Sequence, residues 1–132
     1  RKTRFVQLKK VLNKTAQASY DALFQALSSL QPRLRLSLTY DNGFENRLHD
    51  YLNQALFMKS YFCEPYHSWE KGTVENTNGL IRRFLKKKTN LGRISHSKIL
   101  KVQDWLNNRP RKCLNFQTPA EAFTLARGAL AR

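Results

Sequence analysis

The stretch LRLSLTYDNG, residues 34–43, decides the architecture. Leu34, Leu36, Leu38 and Tyr40 alternate with Arg35, Ser37 and Thr39, the period of two that a strand with one buried face produces. Asn42-Gly43 then breaks the pattern in a turn. Asp41 stands where the strand ends, in phase with the more polar face. In an open α/β sheet, ligands bind outside the carboxyl ends of the strands. Asp-Asn-Gly also forms turns for backbone reasons alone, so position by itself leaves turn and site both standing.

Working outward, residues 3–12 (TRFVQLKKVL) are rich in β-formers and read as a strand, or as two short ones. Thr15 is placed to cap a helix over 16–30, where Leu23, Ala26, Leu27 and Leu30 recur at helical spacing before Pro32. Beyond the turn, Phe44, Leu48, Tyr51, Leu52, Ala55 and Leu56 restore the helical period, and KSYFC (59–63) reads as another strand. Residues 64–72, with Pro65 and Gly72, read as irregular. The remainder is helical in pattern, and Thr118-Pro119-Ala120-Glu121 forms a capping box. Strands alternating with helices predict an α/β fold.

The chain has 132 residues, the size of one domain, with no internal repeat or low-complexity linker. Fifteen Phe, Tyr and Trp residues and 41% hydrophobic content are enough for a packed core and argue against disorder. No apolar run approaches the ~20 residues of a membrane span. Two cysteines, Cys63 and Cys113, suggest neither a zinc knuckle nor a disulfide framework, so a reduced intracellular setting is the default. The net charge of +15 points to a polyanionic partner, with nucleic acid as the first candidate.

That charge is uneven. Through Glu75 there are 11 basic and 7 acidic residues; from Asn76 onward there are 13 basic and 2 acidic. The densest part is RRFLKKK, residues 82–88, and the excess continues through Arg93, Lys98, Lys101, Arg109, Arg111 and Lys112. A solvated basic helix end explains the dense run, but a face that meets phosphates also explains its extension.

Glu75 heads this basic part. If residues 73–86 form one helix, Glu75, Asn78, Arg82 and Lys86 share a stripe opposite Thr77, Leu80, Ile81 and Phe84. A first-turn Glu complements the helix dipole by only a few tenths of a kcal/mol, which does not account for an acid among so many cations. Two acids holding Mg²⁺ beside a phosphodiester, with Lys and Arg around them, do account for it.

Three motifs then stand in order: Asp41-Asn42-Gly43, WEKGTVENTNGLIRR (69–83) and NNRPRKCLNFQTPAEAF (107–123), with 33 residues between Asp41 and Glu75. Together they resemble bacterial insertion-sequence transposases of the IS-thirty type, within the DDE transposase and retroviral-integrase superfamily. The resemblance covers nearly the whole chain, most strongly residues 39–123. It implies a ribonuclease H-like (integrase catalytic core) fold spanning 1–132 as one unit, with a basic helical part from about residue 76.

By the same resemblance Asp41 and Glu75 are the second and third acids of a catalytic triad that ligates two Mg²⁺ or Mn²⁺ ions for phosphodiester cleavage and strand transfer. Asn78, Arg82, Arg83, Lys86, Lys87, Lys88, Arg109, Arg111 and Lys112 are the DNA-binding candidates. Asn42, Gly43, Glu45, His49, Trp69 and Asn76 are supporting candidates, although His49 and Trp69 also fit ordinary packing roles. The implied partners are the DNA of element ends and target and further copies of the protein, with no membrane and no small-molecule substrate. The implied location is the bacterial cytoplasm, on the nucleoid when DNA is bound.

Three positions depart from the family pattern: Asn46 where Phe is usual, Val74 where Asn is common, and Leu85-Lys86-Lys87 in place of Pro-Lys-Gly. No acid precedes Asp21, which falls within the first helical pattern. The first triad Asp, its strand and an amino-terminal DNA-reading region are therefore expected upstream of Arg1, and this stretch alone is expected to be inactive. A DNA-binding remnant without catalysis is the alternative. A ribosomal or nucleoid protein fits the charge but has no need of the paired acids.

Overall fold

The computed structural model describes residues 2–64 and 72–129. Two compact units emerge, one from Lys9 to Gly72 and one combining the segment through Leu8 with everything from Thr73 onward.

The unit of residues 9–72 is α/β. Helix α1 (Ala16–Ser28) begins as the sequence predicts, with the Thr15 hydroxyl accepting from the Ala18 amide at 3.2 Å. Strand β1 (Ser37–Tyr40) is shorter than the alternation suggests, because Pro32–Leu34 winds into a 3₁₀ turn that Pro32 preorganises. Helix α2 (His49–Leu56) starts later than Phe44, since Phe44–Asn46 is a separate 3₁₀ turn. Strand β2 (Lys59–Phe62) lies parallel to β1, with Tyr40 opposite Phe62. Among the described residues the sheet contains these two strands.

The α2 connection is what makes a parallel pair possible, since parallel strands need a crossover. Leu52, Leu56 and Met58 are buried, with Tyr20, Leu23, Leu27 and Leu38 packed on them. Burying a side chain of this kind contributes roughly 1.5–3 kcal/mol. Leu36, in the strand pattern but before β1, stays 71% exposed.

The other unit is helical. Helix α3 (Gly72–Arg82) carries Glu75 in its first turn. The expectation of one helix to residue 86 is corrected: the last turn tightens, with the Phe84 amide bonding to the Ile81 carbonyl at 3.0 Å, and Lys88 is left-handed at φ 67°. Continuing the helix would place Arg82 over Lys86 and Arg83 over Lys87, like charges at i,i+4 that repel.

Helix α4 (His96–Asn107) is capped by Ser95, and α5 (Pro119–Ala129) opens with the predicted capping box. The Thr118 amide donates to Glu121 Oε2 at 2.8 Å, and the Glu121 amide donates to Thr118 Oγ1 at 3.1 Å. Ile94, Ile99, Val102 and Leu106 form the buried apolar side, and Leu106 is fully inaccessible.

The expected strand over 3–12 does not form. At Val6 and Leu8 its polar backbone bonds to side-chain amides of α4 and not to a neighbouring strand. Val6 donates to Asn107 Oδ1 at 2.9 Å and accepts from Asn107 Nδ2 at 2.8 Å, and Leu8 donates to Gln103 Oε1 at 2.8 Å. Phe5 stacks on Phe123 with ring centroids 4.4 Å apart. Arg4 donates to the Thr73 hydroxyl.

Candidate active site

Asp41 directly follows β1, and its side chain is exposed where the parallel pair ends. Three local contacts fix the turn around it. The Asn42 amide donates to the Cys63 carbonyl at 3.2 Å, which ties the residue after Asp41 to the end of β2. The Gly43 N–H reaches Asp41 Oδ1 at 3.4 Å, the long bond of an Asx-type turn. Asn46 Nδ2 donates to the same Oδ1 at 2.8 Å and to the Asp41 carbonyl at 3.1 Å.

Gly43 leaves room for the Glu45 carboxylate as it now lies. Its φ of −69° is ordinary for any residue. A Cβ there, however, would lie 2.7 Å from the Glu45 carboxylate. That carboxylate is mostly covered and pairs with Lys14 at 3.6 Å, which sets Glu45 against the chain entering α1.

His49, at the start of α2, packs among aromatic rings. Its ring meets Phe62 edge-on at 4.8 Å between centroids and lies 6.3 Å from the ring of Tyr40. Its Nδ1 is 3.2 Å from Asp50 Oδ1. Tyr40 is buried beneath, and burial pushes its phenol above the ordinary value of 10.0, opposed by the Ser60 hydroxyl. A cleft of about 330 Å³ opens beside Asp41, lined by Asn42, Gly43, Phe44, Asn46, Arg47, His49 and Phe62. The Arg47 guanidinium sits 4.0 Å over the exposed Phe44 ring. The structure thus gathers Asp41, Asn42, Gly43, Glu45 and His49 around one turn.

Glu75 belongs to the helical unit. It is exposed on the first turn of α3, on the same face as Asn78 and Arg82, and Asn76 is exposed beside it. Lys86 lies beyond the helix end and outside that stripe, in the exposed run with Lys87 and Lys88; Arg83 is exposed at the turn that closes α3. Arg109 places its guanidinium 5.0 Å over the Trp105 ring, which Phe84 meets edge-on at 4.7 Å. Arg111 is directed inward, donating to the Leu106 carbonyl at 3.3 Å, while Lys112 is exposed on a 3₁₀ turn. Trp69 and the rest of residues 65–71 lie outside the described residues.

Asp41 and Glu75 offer hard carboxylate oxygens on exposed side chains, the donor type that Mg²⁺ and Mn²⁺ prefer. Among the described residues no three His, Cys, Asp or Glu side chains converge. Asn46 is the contact that sequence reading misses: it registers only as a departure, whereas the fold turns its amide onto the candidate carboxylate.

No protein-family model matches the chain. It is similar to the transposase of insertion sequence element IS1086 from Cupriavidus metallidurans, 41% identical over 123 residues, covering 93% of this chain and 36% of the relative. It is also similar to transposase InsI of element IS30A from Escherichia coli K12, 41% identical over 121 residues, 92% of this chain and 32% of the relative. Against the transposase of IS4351 from Bacteroides fragilis the identity is 47% over 87 residues, 66% of this chain and 27% of the relative. The chain thus spans about a third of the length of the curated relatives it matches. Among solved structures, the catalytic core domain of BIV integrase superposes with a TM-score of 0.76 at 19% identity, over 98% of this chain and 84% of that one. That likeness gives the fold: an integrase core of the ribonuclease H-like class.

Proposed function

Because this chain is a relative, over most of its length, of insertion-sequence transposases of the IS30 type and has an integrase-core fold, we propose that it supplies the catalytic core for DNA phosphodiester cleavage and strand transfer in transposition. The observation that carries the reading is Asp41: an exposed carboxylate at the carboxyl end of a parallel strand, in a chain 41% identical to two transposases. Glu75, heading a helix that runs into the most basic part of the sequence, is its proposed partner.

Asp41 and Glu75 would hold divalent metal, Mg²⁺ or Mn²⁺, with two ions in the complete site. When bound, such a pair activates a water or a DNA 3′-hydroxyl and stabilises the leaving oxygen. The chain's own residues hold the carboxylates and the DNA. The Asn42 and Asn46 contacts keep Asp41 at the strand end, and Glu45 and His49 brace the same turn. Arg82, Arg83, Lys86, Lys87, Lys88, Arg109 and Lys112 offer cations to the DNA backbone, with Asn76 and Asn78 beside the acid. The partners are element ends and target DNA, engaged by more than one copy of the protein, in the cytoplasm of a bacterium.

The test is nicking of element-end DNA by the full-length protein with Mg²⁺ or Mn²⁺. Asp41→Asn and Glu75→Gln are each expected to abolish cleavage and keep DNA binding. Cleavage surviving in either variant sinks the assignment of that acid. Binding without any cleavage by the unaltered full-length protein supports the alternative, a DNA-binding remnant.

A further inference from the structure

Asn46 stands five residues after Asp41, on the 3₁₀ turn of residues 44–46, and makes two hydrogen bonds to that one residue. The bond to Oδ1, at 2.8 Å, is short and reaches a charged acceptor, the class of hydrogen bond about twice as strong as a neutral one. The bond to the main-chain carbonyl, at 3.1 Å, fixes the same amide relative to the backbone that carries the carboxylate. Together they set both ends of the Asp41 side chain: where it leaves the chain, and where one of its oxygens points.

An exposed Asp at a strand end otherwise samples several rotamers, and a metal that needs one of them must offset the lost freedom. The Gly43 N–H contributes little to this fixing, because its bond to Oδ1 is at the long limit of 3.4 Å. Asn46 is therefore well placed to orient the carboxylate.

We propose that Asn46 is a positioning residue for the Asp41 carboxylate, holding Oδ1 so that the side chain meets divalent metal already in its ligating orientation. The proposal rests on the reading of Asp41 as a metal ligand. Asn46 acts through Asp41, by its two hydrogen bonds to that residue.

The experiment measures Mn²⁺ binding to the full-length protein by paramagnetic relaxation of water protons, alongside the Mn²⁺ concentration that half-saturates nicking. Asn46→Ala and Asn46→Phe should each weaken Mn²⁺ binding by about 10-fold to 100-fold, the range found when a hydrogen bond supporting a metal ligand is removed. Nicking at saturating Mn²⁺ should fall much less. Asn46→Gln, which keeps the donor on a longer arm, should recover part of the affinity. Thermal unfolding followed by circular dichroism separates a misfolded variant from one that lacks only the hydrogen bonds.

Asp41→Ala separates the ligand from its support. If Asp41→Ala binds Mn²⁺ as tightly as the unaltered protein, the metal-ligand reading fails and the proposal falls with it. If Asp41→Ala loses binding while folded Asn46→Ala and Asn46→Phe keep it in full, the role of Asn46 alone is overturned.

Discussion

The two units divide the sequence's resources differently. Residues 9–72 carry 8 basic and 6 acidic side chains; the other unit, the first eight residues together with 73–132, carries 16 basic and 3 acidic. The nearly neutral unit contains the parallel strands and holds its candidate acid through Asn46 within the turn, while Asn42 ties that turn to the end of β2. The basic unit is helical, and presents its candidate acid on an open first turn. A carboxylate fixed by its neighbours is compatible with little surrounding charge. Phosphate binding needs cations in number and tolerates looser placement. On the proposed function, orientation falls to one unit and attraction to the other.

The largest effect that tests this contrast is on DNA affinity. Replacing Lys86, Lys87 and Lys88 together by Ala should make the dependence of log K on log salt shallower by about 2.7, at ~0.9 for each phosphate no longer neutralised. Affinity near 0.15 M salt then drops by about two orders of magnitude. Lys59→Ala, an exposed cation of the sheet unit, should leave the slope unchanged in the same filter-binding titration. Equal slopes for the two variants would erase the division of labour.

A smaller effect concerns what holds the helical unit together. Asn107→Ala strips Val6 of both its partners and should cost about 1–2 kcal/mol in urea unfolding, since two hydrogen bonds to a part-buried backbone are lost. A cost within about 0.5 kcal/mol of zero, the range of an ordinary surface substitution, would mean that the first eight residues add nothing to that unit.

The smallest effect belongs to Tyr40 in the sheet unit. Its phenol is held above 10.0 by burial, so the folded state keeps a proton that the unfolded chain releases. The stabilisation from this group is complete below about pH 10 and declines as pH rises through and beyond that value. Tyr40→Phe should therefore flatten the alkaline limb of a melting-temperature profile. An unchanged limb would show that Tyr40 does not set it.

Local signals were legible wherever one short stretch contains both partners of an interaction. The Thr15 cap, the Asp41-Asn42-Gly43 turn and the Thr118–Glu121 box all close within three residues. Residues 3–12 misled because β-propensity reports fitness for a pleated surface, not the presence of a strand to pair with. Their actual partners, Gln103 and Asn107, lie about a hundred residues away. The end of α3 was hidden because no Gly or Pro marks it, and the repulsion among its cations leaves no periodicity to read. At the candidate site, alternation alone located the strand end and put Asp41 just after it; the choice of site over turn came from the resemblance. The donor role of Asn46 was not legible, since a polar residue on a turn has many possible acceptors and only the fold selects one.

The Val6–Asn107 pairing also sets a schedule. Its two halves are separated by 101 positions in the chain. During synthesis at ~5–20 residues per second, the opening segment waits about 5–20 s for the helix that will satisfy its backbone. Residues 9–72 are contiguous and face no such delay. A β-prone stretch that leaves the ribosome long before that helix exists stays open in the meantime to a chaperone or to another strand edge.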